Sequence, residues 1–414
     1  MYTKRTLNNG IPVVMEQLRA FRSVIIGIWV KVGSRNETID QNGISHFLEH
    51  MFFKGTKKRT AVDISMHIDS LGGDLNAFTS RENTAFYVKV LDEYADKGIE
   101  LLSDIFLHST FDAEEIEKEK GVIKEEIKMV EDTPDDYIHD LFNAQVYGNM
   151  GLGMPVVGTK ETVKSFTREN VIDHVRKYYG TADTVISIAG NFEIDHVMDR
   201  LNHYMGDLRR GSEPEKVLPP TFRGGIGIHP KDLSEAHITL GVPAIAYASP
   251  DRYVIAVLNS IFGSSVSSRL FQEIREKKGY AYSIYSFVSS YRDCGYWAVY
   301  AGTGKKRAVT VTEQIIKEMK SLADTITPEE VRRAKDQLKG NLVIGMESTS
   351  SKMQSIARQQ IYFKRHFSQN DIMKAVEAVT IDQVRDLSRQ LVDTGPMSLT
   401  VLGPVKTEDF TGII

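Results

Sequence analysis

The chain has 414 residues, 41% of them apolar and 26% charged, with a net charge of −4. That length exceeds one ordinary core and predicts two or more domains. The composition is that of a soluble globular protein, and the slightly acidic balance argues against nucleic acid as a main partner. A single cysteine, Cys294, allows no internal disulfide, predicts a reducing compartment, and reads as a small buried hydrophobe in a strand. No apolar run reaches the ~20 residues that span a bilayer. The N-terminal segment 1–17 is interrupted by a hairpin turn at Asn8-Asn9-Gly10 and reads neither as a secretory signal nor as an Arg- and Ser-rich transit segment. A cytoplasmic protein with no membrane partner is expected.

In chain order, the β-rich run 23–34 predicts a strand closed by Gly33 and Ser34. A helix follows, starting at Gly43-Ile44-Ser45 and carrying His46-Phe47-Leu48-Glu49-His50. A shorter helix over 61–71 leads through Gly72-Gly73 to strands at 74–80 and 84–91. Long helices are predicted over 92–108 and 112–130, then a helix at 168–179 and a strand at 184–190. The acidic residues Asp132, Asp135, Asp136 and Asp140 read as a solvated loop.

The same order then repeats. Strand 236–249, the apolar helix 251–263, helix 267–279 and strands 281–290 and 295–303 answer the first half. Helices 305–324, 328–346 and 381–392 and strand 398–403 complete the second copy. Segment 209–225, rich in Pro, Gly and charge, reads as a linker. A period of roughly 210 residues is too long for a solenoid, so the expectation is α+β: two homologous domains in tandem (1–208 and 226–414), each a mainly antiparallel sheet with helices packed on it.

His46 and His50 are spaced i, i+4 and share a helix face, so both rings can reach one metal ion. Neutral imidazoles suit zinc, and the neighbouring Glu49 is placed to take a proton from water activated by the metal. A catalytic zinc takes a third protein ligand. On helix 112–131, Glu119 and Glu126 lie two turns apart at the edge of an apolar stripe formed by Ile116, Ile123, Ile127 and Val130. Both are candidates, since carboxylates on a buried side need a compensating partner. The repeat acts as an internal control. Matching 328–341 to 113–126 places Ala334 opposite Glu119 and Asn341 opposite Glu126, and helix 251–263 has neither His nor Glu. The acids are missing in the half that lacks the histidines.

The segments HFLEHMFFKGT, LGGDLNAFTSRENTAFYVKV and EKEKGVIKEEI together resemble the pitrilysin-type (inverzincin) zinc peptidases. The similarity spans nearly the whole chain. It is strongest to the short branch that contains the mitochondrial processing peptidase β subunit and bacterial processing-protease homologues. The resemblance implies Zn2+ held by His46, His50 and Glu126, with Glu49 as general base and Glu119 as an important acid near the metal. It makes Arg275 and Tyr282, seven residues apart, stabilisers of an oxyanion or holders of a substrate carbonyl. It also implies a homodimer in which these two face the partner's zinc site, and an edge strand at Asn76-Ala77-Phe78-Thr79 on which an extended peptide pairs. The implied activity is zinc-dependent endopeptidase cleavage of unstructured peptides or precursor segments inside a dimeric chamber. The rival expectation is a non-catalytic scaffold or peptide-binding subunit of the same fold.

Overall fold

The computed structural model describes residues 1–149, 151–211 and 218–414. Residues 212–217 of the expected linker lie outside the described residues. The helices are, in order, α1 (Ile44–Met51), α2 (Ala61–Ser70), α3 (Ala95–His108), α4 (Ala113–Glu131), α5 (Pro134–Tyr147), α6 (Lys160–Ser165), α7 (Arg168–Tyr178) and α8 (Ile194–Met205). After these come α9 (Arg252–Phe262), α10 (Ala308–Thr325), α11 (Pro328–Gly345), α12 (Thr349–Phe363), α13 (Gln369–Glu377) and α14 (Ile381–Asp393).

Two compact units form. The first contains a six-stranded sheet built from β1 (Tyr2–Thr6), β2 (Pro12–Gln17), β3 (Ser23–Val30), β4 (Asp74–Thr79), β5 (Thr84–Leu91) and β6 (Thr184–Gly190). Its spatial order is β1-β2-β6-β3-β5-β4, with β2 and β6 parallel and every other neighbouring pair antiparallel. The second contains β7 (Gly225–Pro230), β8 (Glu235–Ala244), β9 (Ser283–Ser290), β10 (Gly295–Gly304) and β11 (Ser398–Gly403), in the order β7-β11-β8-β10-β9. Here only β7 and β11 pair in parallel. The α+β class with mainly antiparallel sheets is as the sequence predicts.

The compact units do not coincide with the sequence halves. Residues 130–149, which include α5, belong to the second unit, and residues 345–366, which include α12, belong to the first. Each sheet is thus covered on one face by a helix from the other half of the chain. In the first unit, Ile25, Trp29, Ala85 and Val185 pack against Met353, Ile356 and Ala357 of α12. The opposite face meets α1, α3 and α4 through Val24, Ile26, Ile28 and Phe86. Burial on both faces explains why β3 is a continuous apolar run rather than an alternating one. In the second unit, Ile138 of α5 packs with Tyr300 and Leu402. The acidic stretch expected to be a loop is therefore mostly helix: Asp135, Asp136 and Asp140 lie within α5, and the apolar face they accompany is buried on a sheet distant in sequence. Cys294 also differs from expectation, being half-buried in the turn before β10 rather than buried within a strand.

A glycine admits the covering helix in each sheet. A Cβ on Gly27 of β3 would lie 2.7 Å from Met353 Sδ, and one on Gly241 of β8 would lie 2.9 Å from both Phe142 Cζ and Ala298 Cβ. Met353 ends in a flexible arm and can yield, whereas Phe142 and the neighbouring β10 backbone are fixed. Gly241→Ala is expected to destabilise the second unit by about 1–3 kcal/mol, read as a lower urea midpoint, with Gly27→Ala the milder of the two.

Candidate metal centre

The site candidates of the first unit come from three elements: α1, the edge strand β4 and α4. Helix α1 starts at Gly43, whose φ of +92° is left-handed and which has no side chain to cap the exposed N–H groups. Glu37 supplies the cap. Its Oε2 accepts from the Gly43 N–H at 2.7 Å and from Asn42 Nδ2 at 3.1 Å, and its Oε1 accepts from the Ser45 N–H at 2.8 Å. Burial pushes the Glu37 carboxyl up, and these donors work against that shift. A Cβ on Gly43 would lie 2.6 Å from Gly158 Cα, so the helix start is also locked sterically. Beneath it, the buried His174 is pushed down to about 3, by burial first and by Lys177 second, and its Nε2 lies 3.4 Å from Ser45 Oγ.

With α1 set in this way, the His46 and His50 rings stand 4.7 Å apart between centroids. His46 Nε2 lies 3.5 Å from Glu126 Oε1, and His50 Nε2 lies 3.7 Å from Glu126 Oε2. Ligand atoms around a tetrahedral zinc with bonds of 2.0–2.1 Å sit about 3.4 Å apart, so the three donors need only small movements to grip one ion. All three lie within 4.8 Å of one another, the one such cluster among the described residues. Glu119 stands one layer behind. Its Oε1 is 2.7 Å from His50 Nδ1 and its Oε2 is 2.5 Å from Lys54 Nζ. With Nδ1–H donating to this carboxylate, the His50 Nε2 lone pair is left for a metal. His46 has no such support, for its Nδ1 is buried without a hydrogen-bond partner among the described residues.

The electrostatics fit a dication. Glu49, Glu119 and Glu126 carry three negative charges and Lys54 one positive, so with neutral imidazoles the cluster is two charges short of balance. Burial, then the neighbouring His50, pushes His46 down to about 4, which keeps it neutral. Burial also works to lower His50, but the hydrogen bond and charge of Glu119, with Glu126 and Glu49, leave it above its ordinary value. Burial raises the Glu49 carboxyl, against a hydrogen bond from Thr79 Oγ1 to Glu49 Oε2 at 2.5 Å.

Strand β4 lies at the sheet edge, with β5 as its one neighbour among the described residues. Its pleat divides the four residues expected to bind substrate. Ala77 packs toward the core shared with α1, and Thr79 reaches Glu49 on α1, whereas Phe78 makes an edge contact with Trp29 under α12. The Asn76 side chain accepts from the Ala77 N–H at 2.8 Å. In the second unit, Arg275 occupies a π-helical turn, Phe271–Glu276, within the expected helix. Its guanidinium lies 4.6 Å from the Phe271 ring and 5.6 Å from that of Tyr282, which is 77% exposed. Sequence reasoning missed Lys54, Glu37 and the Thr79 hydroxyl as partners of the site. Lys54 and Thr79 stood inside the motif segments, and Glu37 could have been sought as the acid ahead of an N-cap without a side chain.

A duplicated α+β chain with this helix-borne donor set has the class features of a zinc-dependent peptidase. Residues 12–160 match the family described as insulinase (peptidase family M16), and residues 165–338 match the peptidase M16 inactive domain. The chain is 41% identical to the uncharacterized zinc protease YmxG of Bacillus subtilis, over 98% of each chain. It is 37% identical to the uncharacterized zinc protease SCO5738 of Streptomyces coelicolor, over 97% of this chain and 90% of that one. The chain belongs to peptidase family M16, as its resemblance to the pitrilysin-type peptidases led us to expect. A protease from Helicobacter pylori has the same fold, with a TM-score of 0.90 at 21% identity over 98% and 99% of the two chains. So does a chain of complex III2 from Candida albicans, with a TM-score of 0.84 at 22% identity over 100% and 97%. Among the described residues no helix is long and apolar enough to cross a membrane.

Lys54 and Glu119 give a direct test of the layer behind the metal ligands. Lys54→Met is expected to weaken zinc binding by roughly tenfold, and Glu119→Gln by roughly ten- to hundredfold. Competition against a chromophoric chelator would measure both.

Proposed function

We propose that this protein is a zinc-dependent endopeptidase acting on unstructured peptides or precursor segments in the cytoplasm. The observation that carries this reading is the convergence of His46 Nε2, His50 Nε2 and the Glu126 carboxylate beside Glu49. His46, His50 and Glu126 would hold the metal, and Glu119 with Lys54 keeps the His50 ring in the right tautomer. When held there, zinc would supply Lewis acidity toward water and a carbonyl. Glu49 accepts the water proton at its carboxylate and returns it to the leaving amine. The β4 edge pairs with the substrate main chain, which tolerates varied sequences. Arg275 and Tyr282 then steady the charge that develops on the carbonyl oxygen.

Glu49→Gln is expected to bind zinc at wild-type stoichiometry while cleaving a quenched unstructured peptide roughly a hundred- to ten-thousandfold more slowly. Normal turnover in that variant would remove Glu49 as the base. The second reading, a non-catalytic scaffold, draws on the match of residues 165–338 to the peptidase M16 inactive domain; it predicts no cleavage by zinc-loaded wild type.

We further propose a homodimer with sites completed across the interface. Mixing dissociated Glu49→Gln and Tyr282→Phe subunits should then regenerate activity, because one of the two sites in the mixed dimer is intact. If Tyr282 served its own chain, the mixture would stay inactive.

A further inference from the structure

We propose that Thr79 is the positioning residue of the base: its hydroxyl fixes Glu49 from the edge strand, in addition to any main-chain contact that strand makes with substrate. This inference rests on the peptidase reading for its catalytic consequence, but not for the hydrogen bond itself. The Thr79 Oγ1–Glu49 Oε2 distance of 2.5 Å is that of a charge-assisted hydrogen bond. It occupies one carboxylate oxygen, and Glu49 Oε1 has no partner among the described residues. A glutamate side chain turns about three bonds, so tying one oxygen to a β-strand selects one orientation for the other. The pleat that turns Phe78 under α12 turns Thr79 toward α1, and Thr79 is itself paired with Thr84 at the end of the ladder.

The second unit shows that the tie is a device of this fold and what is specific to the first copy. Matching HFLEHMF of α1 to AVLNSIF of α9 puts Asn259 in the place of Glu49. A hydroxyl from that unit's edge strand again reaches it, since Ser286 Oγ donates to Asn259 Oδ1 at 2.7 Å, and Trp297 Nε1 donates to the same oxygen at 3.0 Å. There the acceptor is a neutral amide with its one oxygen doubly engaged. In the first copy the same kind of tie holds a carboxylate, near enough to His50 to feel its charge, and leaves its second oxygen without a partner among the described residues.

The test compares Thr79→Val, nearly isosteric but without the hydroxyl, with Thr79→Ser, which restores it. Thr79→Val is expected to lower kcat roughly ten- to hundredfold with KM, zinc stoichiometry and thermal midpoint little changed, and Thr79→Ser to recover most of the loss. A second readout needs no turnover. The infrared difference between wild type and Glu49→Gln isolates the Glu49 carboxylate band, which should shift in Thr79→Val and return in Thr79→Ser. An unmoved band overturns the proposal, as does a variant that raises KM alone or a serine variant no better than valine. If wild type cleaves nothing while the band shifts as stated, the hold on Glu49 stands and the peptidase reading fails.

Discussion

Two imidazoles surrounded by three carboxylates and one ammonium form an unbalanced charge cluster, and the first unit is arranged around that imbalance. A carboxylate withdrawn from water must be paired, hydrogen-bonded or bound to a cation. Glu119, only 3% exposed, meets this demand with His50 and Lys54. Glu126 faces both histidines and has no lysine or arginine of its own among the described residues. A divalent cation satisfies it and turns the pair of rings into ligands. The helix that carries the rings is in turn anchored by Glu37 at one end and Thr79 at its side.

The duplication clarifies what belongs to the fold and what belongs to the site. Both copies cover one face of their sheet with a helix from the other half of the chain, through a glycine in a central strand. Both tie the first α-helix after that strand to the edge strand through a hydroxyl. These features belong to the fold and recur in the copy that lacks the metal donors. What differs is a small set of side chains, with Ala334 and Asn341 standing for Glu119 and Glu126, and Asn259 for Glu49. That difference fits the separate matches of the two halves to the M16 family and to its inactive domain.

Much of this was legible in the residues. The i, i+4 histidines, the acids two turns apart on α4 and the repeated order of elements all follow from local periodicity, which backbone geometry makes nearly independent of context. Helices α5 and α12 were not read. Each has a polar start or a mixed face, and is stabilised mainly by packing on a sheet whose strands lie far away in sequence. The acidic opening of α5 looks like a solvated loop until the apolar side that it flanks is seen to be buried. Lys54 and Thr79 likewise look like an ordinary surface cation and an ordinary strand residue.

The sequence alone determined which residue types could bind a metal, which copy could do so, and the α+β order of elements in each half. Only the tertiary structure decided that Glu126 meets both rings, that β4 is an edge strand with its residues split between two faces, and that the halves trade helices. The reason is distance along the chain. A helix face is set by neighbours three and four residues away, whereas the approach of α4 to α1 closes a separation of 76 residues between His50 and Glu126. That closure depends on the packing of every element between them.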